Sequence, residues 1–335
     1  MNRRERVIEA VTFHETDYVP YTVGLTWQAH QKIAEYLKDG FNDFMANVGN
    51  HITSASYGVM NEIKPEYFQD EFGVVWNRTG VDKDIGVIDN LMITEPEKGI
   101  YKFPEIPYDL IRKDCEQVLA NKEDMFTTAA LGFSLFERAW TLTGMENLLA
   151  YMLTESDFVH WLMREITDYN LKVIEVYMEY DFDCMHFGDD WGQQKGLIMG
   201  PVMWRKFIKP YLAEMYGFAK KHGKFVSQHS CGDITEIFPD LVDIGLNIYQ
   251  TFQPEIYDIK AVKAQYDKKL SFWGGISTQR LLPFETPEKV VEISREILKI
   301  MSRNGGYIAA PTHAIPGDVP PENIVALIEF FKNQK

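Results

Sequence analysis

The chain has 335 residues, of which 45% are hydrophobic and 25% charged, with 49 acidic against 34 basic side chains and a formal net charge of -15. Such proportions suit a globular protein with a sizeable core, and the negative balance argues against nucleic acid or an anionic membrane as partner, because binding phosphates draws on clustered Lys and Arg. Cys115, Cys184 and Cys231 follow no disulfide framework, and neither a signal segment nor an apolar run of about eighteen residues is present, so a cytoplasmic protein without a membrane span is expected.

In chain order, apolar positions Val7, Ile8, Ala10 and Val11 predict a short N-terminal helix over residues 3–13. A first strand follows over 19–25, then an amphipathic helix from Trp27 through Leu37 and a second strand about His51 at 50–53. Residues 58–105 break the rhythm with short β-like runs joined by Gly and Asp, and read as a hairpin region inserted on a single domain that spans 1–335. From 126 onward strand and helix alternate, with strands at 126–132, 185–188, 225–228, 247–252, 270–274 and 307–310. Eight strands alternating with helices predict an α/β fold with a parallel sheet closed as a TIM (β/α)8 barrel; an open doubly wound sheet is the alternative, although no Gly-rich dinucleotide fingerprint follows the first strand.

In such a barrel the chemistry sits where strands end. The residues there are Trp27, His51, Phe133, Glu137, Asp189, Asp190, Trp191, His229, Cys231, Gln250, Trp273, Ser277, Gln279 and His313. His229 and Cys231 stand two apart on an extended segment, so an imidazole nitrogen and a thiolate can meet at one point, which is half of a zinc site. Taken alone, the pair also reads as a buried Cys beside a surface His. His313, at the lip of the last strand, is the candidate third ligand. Asp189 and Asp190 are candidates for a further ligand, a partner of a ligating His, or an acid/base pair; adjacent side chains point apart, so one of them is expected to face the centre. Trp27, Trp191 and Trp273, with His51 and Gln250, are expected to line a substrate pocket.

Across residues 188–212, 229–234, 273–290 and 305–324 the sequence resembles the uroporphyrinogen decarboxylase superfamily, and the resemblance extends over essentially the whole chain. It implies a TIM barrel and one of two activities. The decarboxylases carry arginines just after the first strand, but residues 22–37 here contain none, and only His313 matches a histidine that they place near their pocket. The other branch comprises zinc methyltransferases that work with a corrinoid protein, whose metal is held by a His-x-Cys pair and a later Cys. His229 and Cys231 match the pair, while the later position falls at Ala310-Pro311-Thr312-His313 and offers His.

The resemblance therefore implies zinc on His229, Cys231 and His313, with Asp189, Asp190 and His313 as catalytic candidates and a corrinoid supplied by a partner protein. One thiolate with two neutral imidazoles leaves the metal more Lewis acidic than two thiolates would, which suits an ether oxygen. The expected activity is methyl transfer from a small methoxylated, aryl ether substrate. The alternatives are decarboxylation of a smaller acid and a non-catalytic ligand-binding barrel.

Overall fold

A computed structural model describes residues 1–80 and 85–334; the part of the inserted region at 81–84 lies outside the described residues. Seven strands form one parallel sheet, ordered as they occur in the chain: β1 (Ile52–Ala55), then, beyond the inserted strands β2 (Met60–Lys64), β3 (Tyr67–Asp70), β4 (Val75–Asn77) and β5 (Val87–Ile88), β6 (Phe126–Leu131), β7 (Cys184–Gly188), β10 (Phe225–His229), β11 (Ile248–Phe252), β12 (Ser271–Ile276) and β13 (Tyr307–Pro311). A short hairpin, β8 (Gly192–Gln193) and β9 (Gly196–Leu197), follows β7. Every residue of β12 and β13 is buried. Strands enclosed on both faces read as continuous apolar runs without alternation, which is why they stand out in the sequence.

The sheet curls as a TIM barrel does, but its eighth place is not filled by a strand. Residues 20–25 lie there as two isolated bridges, Tyr21 to Ala309 and Leu25 to Ile315. On the other side the His51 N–H donates to the Tyr21 carbonyl (3.0 Å), while the Asn50 side chain both accepts from the Val23 N–H (2.8 Å) and donates to the Val23 carbonyl (3.1 Å). Pro20 has no N–H to give, and Asn50 takes the backbone groups that a regular ladder to β1 would use. The expectation of eight regular staves is thus corrected to seven and an irregular closing segment.

Helix α1 (Arg3–Val11) starts on a capping box between Asn2 and Glu5. Its Val7 and Val11 plug the N-terminal end of the sheet against Ile52, Phe126, Cys184, Ile248 and Ile308. α2 (Trp27–Leu37) and α3 (Phe41–Ala46) precede β1, and α4 (Tyr108–Ala120), α5 (Phe136–Thr143), α6 (Met145–Thr154) and α7 (Ser156–Met178) flank β6. Buried residues of these and the later helices cover the outside of the sheet in one large apolar cluster.

The inserted region is more than a hairpin. β2 (Met60–Lys64), β3 (Tyr67–Asp70), β4 (Val75–Asn77) and β5 (Val87–Ile88) make a separate four-stranded antiparallel sheet. Its anchor is the buried Asp70 carboxylate, which accepts from the N–H groups of Phe72 (3.0 Å) and Val74 (3.0 Å), from Trp76 Nε1 (3.3 Å) and from Arg138 Nη1 on α5 (2.8 Å). Four donors, one of them cationic, offset the cost of burying that charge. No helix among the described residues is long and apolar enough to cross a membrane.

Candidate metal centre

β10 ends at His229, and the chain continues through Ser230 to Cys231, whose Sγ lies 3.6 Å from His229 Nε2. Asp190, two residues beyond the end of the adjoining β7, brings Oδ1 to 3.5 Å from the same Nε2 and accepts the Cys231 N–H at 2.7 Å. The donor atoms of Asp190, His229 and Cys231 all lie within 4.8 Å of one another. In register with His229 on β11 is Gln250, whose Oε1 accepts from Nδ1 at 2.8 Å. That bond places the ring proton on Nδ1 and leaves the Nε2 lone pair facing the thiol and the carboxylate.

The loop is pinned from several sides. Gly232 has φ +78°, and a Cβ on it would lie 2.2 Å from the Gly192 carbonyl carbon, so the loops after β7 and β10 touch backbone to backbone. Tyr249 Oη donates to the Ser230 carbonyl and Tyr257 Oη to the Gly232 carbonyl, both at 2.8 Å, while Gln253 Oε1 accepts the Gly232 N–H at 2.9 Å. Asp190 and Cys231 are therefore held at a fixed separation by the main chain.

The two aspartates point apart. Asp189 is fully buried and turns away to the start of α5, accepting from the N–H groups of Phe136 (2.9 Å) and Glu137 (2.7 Å) and from Trp191 Nε1 (2.6 Å). Desolvation raises its carboxyl to about 6 against the pull of those donors. Glu137 is pushed well up by burial and then by the charges of Asp190 and Asp189, and its carboxyl accepts the Asp190 backbone N–H. Burial, together with Asp190, raises the Cys231 thiol to about 12. A cation among these groups would reverse that balance, since a coordinating thiol is deprotonated. One imidazole nitrogen with its proton locked elsewhere, one sulfur and one carboxylate oxygen form a donor set that fits zinc.

His313 stands beside this trio and not within it. Its exposed ring meets the His229 ring edge-on, with centres 5.9 Å apart. Gln250, half-buried, bonds His229 Nδ1 from the adjoining strand and so positions that ring. Trp27, 67% exposed at the start of α2, stacks on His30. Trp273 lies inside the sheet, its ring 5.6 Å from that of His186. Two expectations need correction. Trp191 is fully buried edge-to-face against Trp204 (5.4 Å), because its indole N–H is committed to Asp189, and it lines no pocket. His51 precedes β1 at the opposite end of the sheet, under Arg6 (3.2 Å) and Tyr21, and cannot touch a substrate at the mouth.

His186 was not read from the sequence. It sits inside the sheet with Nδ1 2.7 Å from Ser227 Oγ, and burial pushes its imidazole down to about 3, so it is neutral. The signal was available: His186 and Gly188 are two apart on β7, as Ser227 and His229 are on β10, so polar residues share the inward face below the cluster.

The profile of the uroporphyrinogen decarboxylase (URO-D) family matches residues 109–334, well over half of the chain. The chain is 24% identical over 242 residues to a uroporphyrinogen decarboxylase of Chlorobaculum tepidum, covering 64% of this chain and 63% of that protein. It is 24% identical over 304 residues to the Chlorobaculum parvum enzyme, covering 76% and 80%. In three dimensions it superposes on a methyltransferase from Methanosarcina mazei with a TM-score of 0.70 at 18% identity, over 100% of this chain and 99% of that one, a likeness of fold. The chain belongs to the uroporphyrinogen decarboxylase family.

Proposed function

We propose that this single-domain chain is a cytoplasmic, zinc-dependent methyltransferase that moves a methyl group from a small methoxylated substrate to a corrinoid on a separate protein. The observation that carries the reading is the Asp190, His229 and Cys231 trio, converging within 4.8 Å at the C-terminal ends of adjacent strands. Likeness in fold to a methyltransferase along the whole chain supports it, as does the lack of arginine in residues 22–37 for a substrate with many carboxylates.

Zinc, when bound, supplies a Lewis acid for the negative charge that develops on the ether oxygen. The chain's own residues do the rest. Asp190, His229 and Cys231 hold the metal, and Gln250 keeps Nε2 of His229 turned toward it. Glu137, through the Asp190 N–H, keeps that carboxylate facing the centre. His313, exposed at the rim against His229, is placed to meet the substrate from the open side.

The uroporphyrinogen decarboxylase relatives favour a second reading, decarboxylation, with an acid smaller than a porphyrinogen because residues 22–37 lack arginine. Elemental analysis of freshly purified protein, followed by mixing with a methoxyarene panel and a reduced corrinoid protein, separates the two. One zinc per chain and spectroscopic formation of methylcobalamin are expected; metal-free protein that releases carbon dioxide from small acids overturns the proposal.

A further inference from the structure

Between the inserted sheet and the ends of β1 and β6 lies a cavity of about 210 Å³, bounded also by α5 and α7. Its size suits one substituted ring, since a cavity of about 150 Å³ suffices for benzene. The walls are aromatic: Trp76 and Phe133 have ring centres 5.4 Å apart, and Phe72 and Tyr169 are 4.9 Å apart.

The polar groups lining the cavity are Arg138 and the hydroxyls of Tyr57 and Tyr169, beside the carboxyls of Asp70 and Glu71. Arg138 is buried with Cζ 3.9 Å above the Phe72 ring, and its hydrogen bonds among the described residues all leave from Nη1, to Asp70 and Thr141. Nε and Nη2 are left to an occupant of the cavity. Tyr169 is 5% exposed; its hydroxyl accepts from Tyr57, which also lines the cavity, and its own proton has no protein acceptor in good geometry among the described residues. The cation is already balanced by Asp70, whose carboxylate is engaged by four donors, so neither an uncompensated positive charge awaits an anion nor an unengaged Asp70 a cation. Burial raises the carboxyl of Glu71, on the same wall, toward its neutral form.

We propose that this cavity binds a neutral, single-ring molecule through an oxygen acceptor, with Arg138 and Tyr169 donating to that oxygen and Phe72, Trp76 and Phe133 enclosing the ring. Gly132, on the cavity wall at the end of β6, packs against Gly188, where a Cβ would lie 3.4 Å from the Gly132 Cα. Asp190 follows two residues later, which puts the cavity one strand away from the metal-capable trio. The inference rests on the methyltransfer reading for its biological sense and names the class of ring that reading would use.

Calorimetric titration with 2-methoxyphenol tests it, with 4-methoxybenzoate and tetramethylammonium as charged comparators of the same scale. The wild type is expected to bind 2-methoxyphenol at least tenfold more tightly than either ion. A Cβ on Gly132 meets nothing within 4 Å, so Gly132→Leu fills open space; it should weaken binding at least tenfold with circular dichroism and zinc content unchanged. Tyr169→Phe removes a hydroxyl whose protein neighbour is the Tyr57 hydroxyl and should weaken binding about threefold or more, with circular dichroism unchanged, which covers the case of a poorly folded Gly132 variant. Unchanged affinity in both variants, or equal binding of either ion, overturns the assignment. Binding that is blocked by Gly132→Leu without any methyl transfer to a corrinoid sinks the methyltransferase reading and leaves the cavity standing; methyl transfer from 2-methoxyphenol at full rate in Gly132→Leu does the reverse.

Discussion

His51 enters the sheet below β1 and His229 leaves it at the end of β10, and the two imidazoles meet opposite surroundings. At the lower end α1 closes the sheet with Val7 and Val11, and Arg6 crosses over His51 toward Asp17. His51 is 1% exposed, and desolvation followed by the Arg6 charge pushes it down to about 4. At the upper end two loops meet backbone to backbone, and His229 has one nitrogen fixed by Gln250 and the other turned toward a thiol and a carboxylate. The histidine at the plugged end is a packed, neutral core group, whereas the one at the other end stands in a cluster that could hold a metal ion. What distinguishes them is the neighbour each strand end is given.

Removing the sulfur ligand breaks this contrast most severely. Cys231→Ala is expected to lose nearly all bound zinc, by elemental analysis, with a melting temperature close to that of the wild type, because the loop face is not the core. Retention of one zinc per chain would show that Cys231 is not a ligand.

The lower end is tested by acid. The folded His51 has a lower pKa than the ordinary 6.5, so the unfolded chain binds the extra proton between the two values. Stability from this group is therefore present above pH 6.5 and is lost as pH falls toward about 4, by roughly 3 kcal/mol at most. His51→Gln should flatten that limb in denaturant melts across the window; an unchanged slope would place the titration elsewhere.

Next in size is the orienting bond at the upper end. Gln250→Ala should weaken zinc binding about tenfold to a hundredfold, the usual cost of losing a partner that fixes a ligating His, and a chelator competition reads it directly. The smallest effect sharpens the ligand set: His313→Ala should keep its zinc within about twofold, since His313 lies beside the trio, while turnover falls. Loss of zinc equal to that in Cys231→Ala would make His313 a ligand after all.

Much of this was legible because strand interiors and strand ends differ in composition. The apolar runs of β6, β12 and β13 stop at turn residues, and each regular stave of the sheet was read to within a few residues of its place. His229 and Cys231 were legible as a pair because the two-residue period of a strand is a local property. The first stave was misjudged because residues 20–25 look extended, while the side chain that replaces their ladder, Asn50, comes from a loop far along the chain.

The sequence by itself determined the alternation of strand and helix, the absence of a cationic cluster in residues 22–37, and the local pairing of imidazole with thiol. Only the tertiary structure decided which aspartate faces that pair, that Trp191 is spent on Asp189, that His51 is buried at the wrong end, and that Arg138 meets Asp70 across the inserted sheet. The reason is physical: propensity and periodicity act over a few neighbouring residues, whereas ligand sets and buried ion pairs join groups that meet only when the sheet curls and brings distant loops within hydrogen-bonding distance.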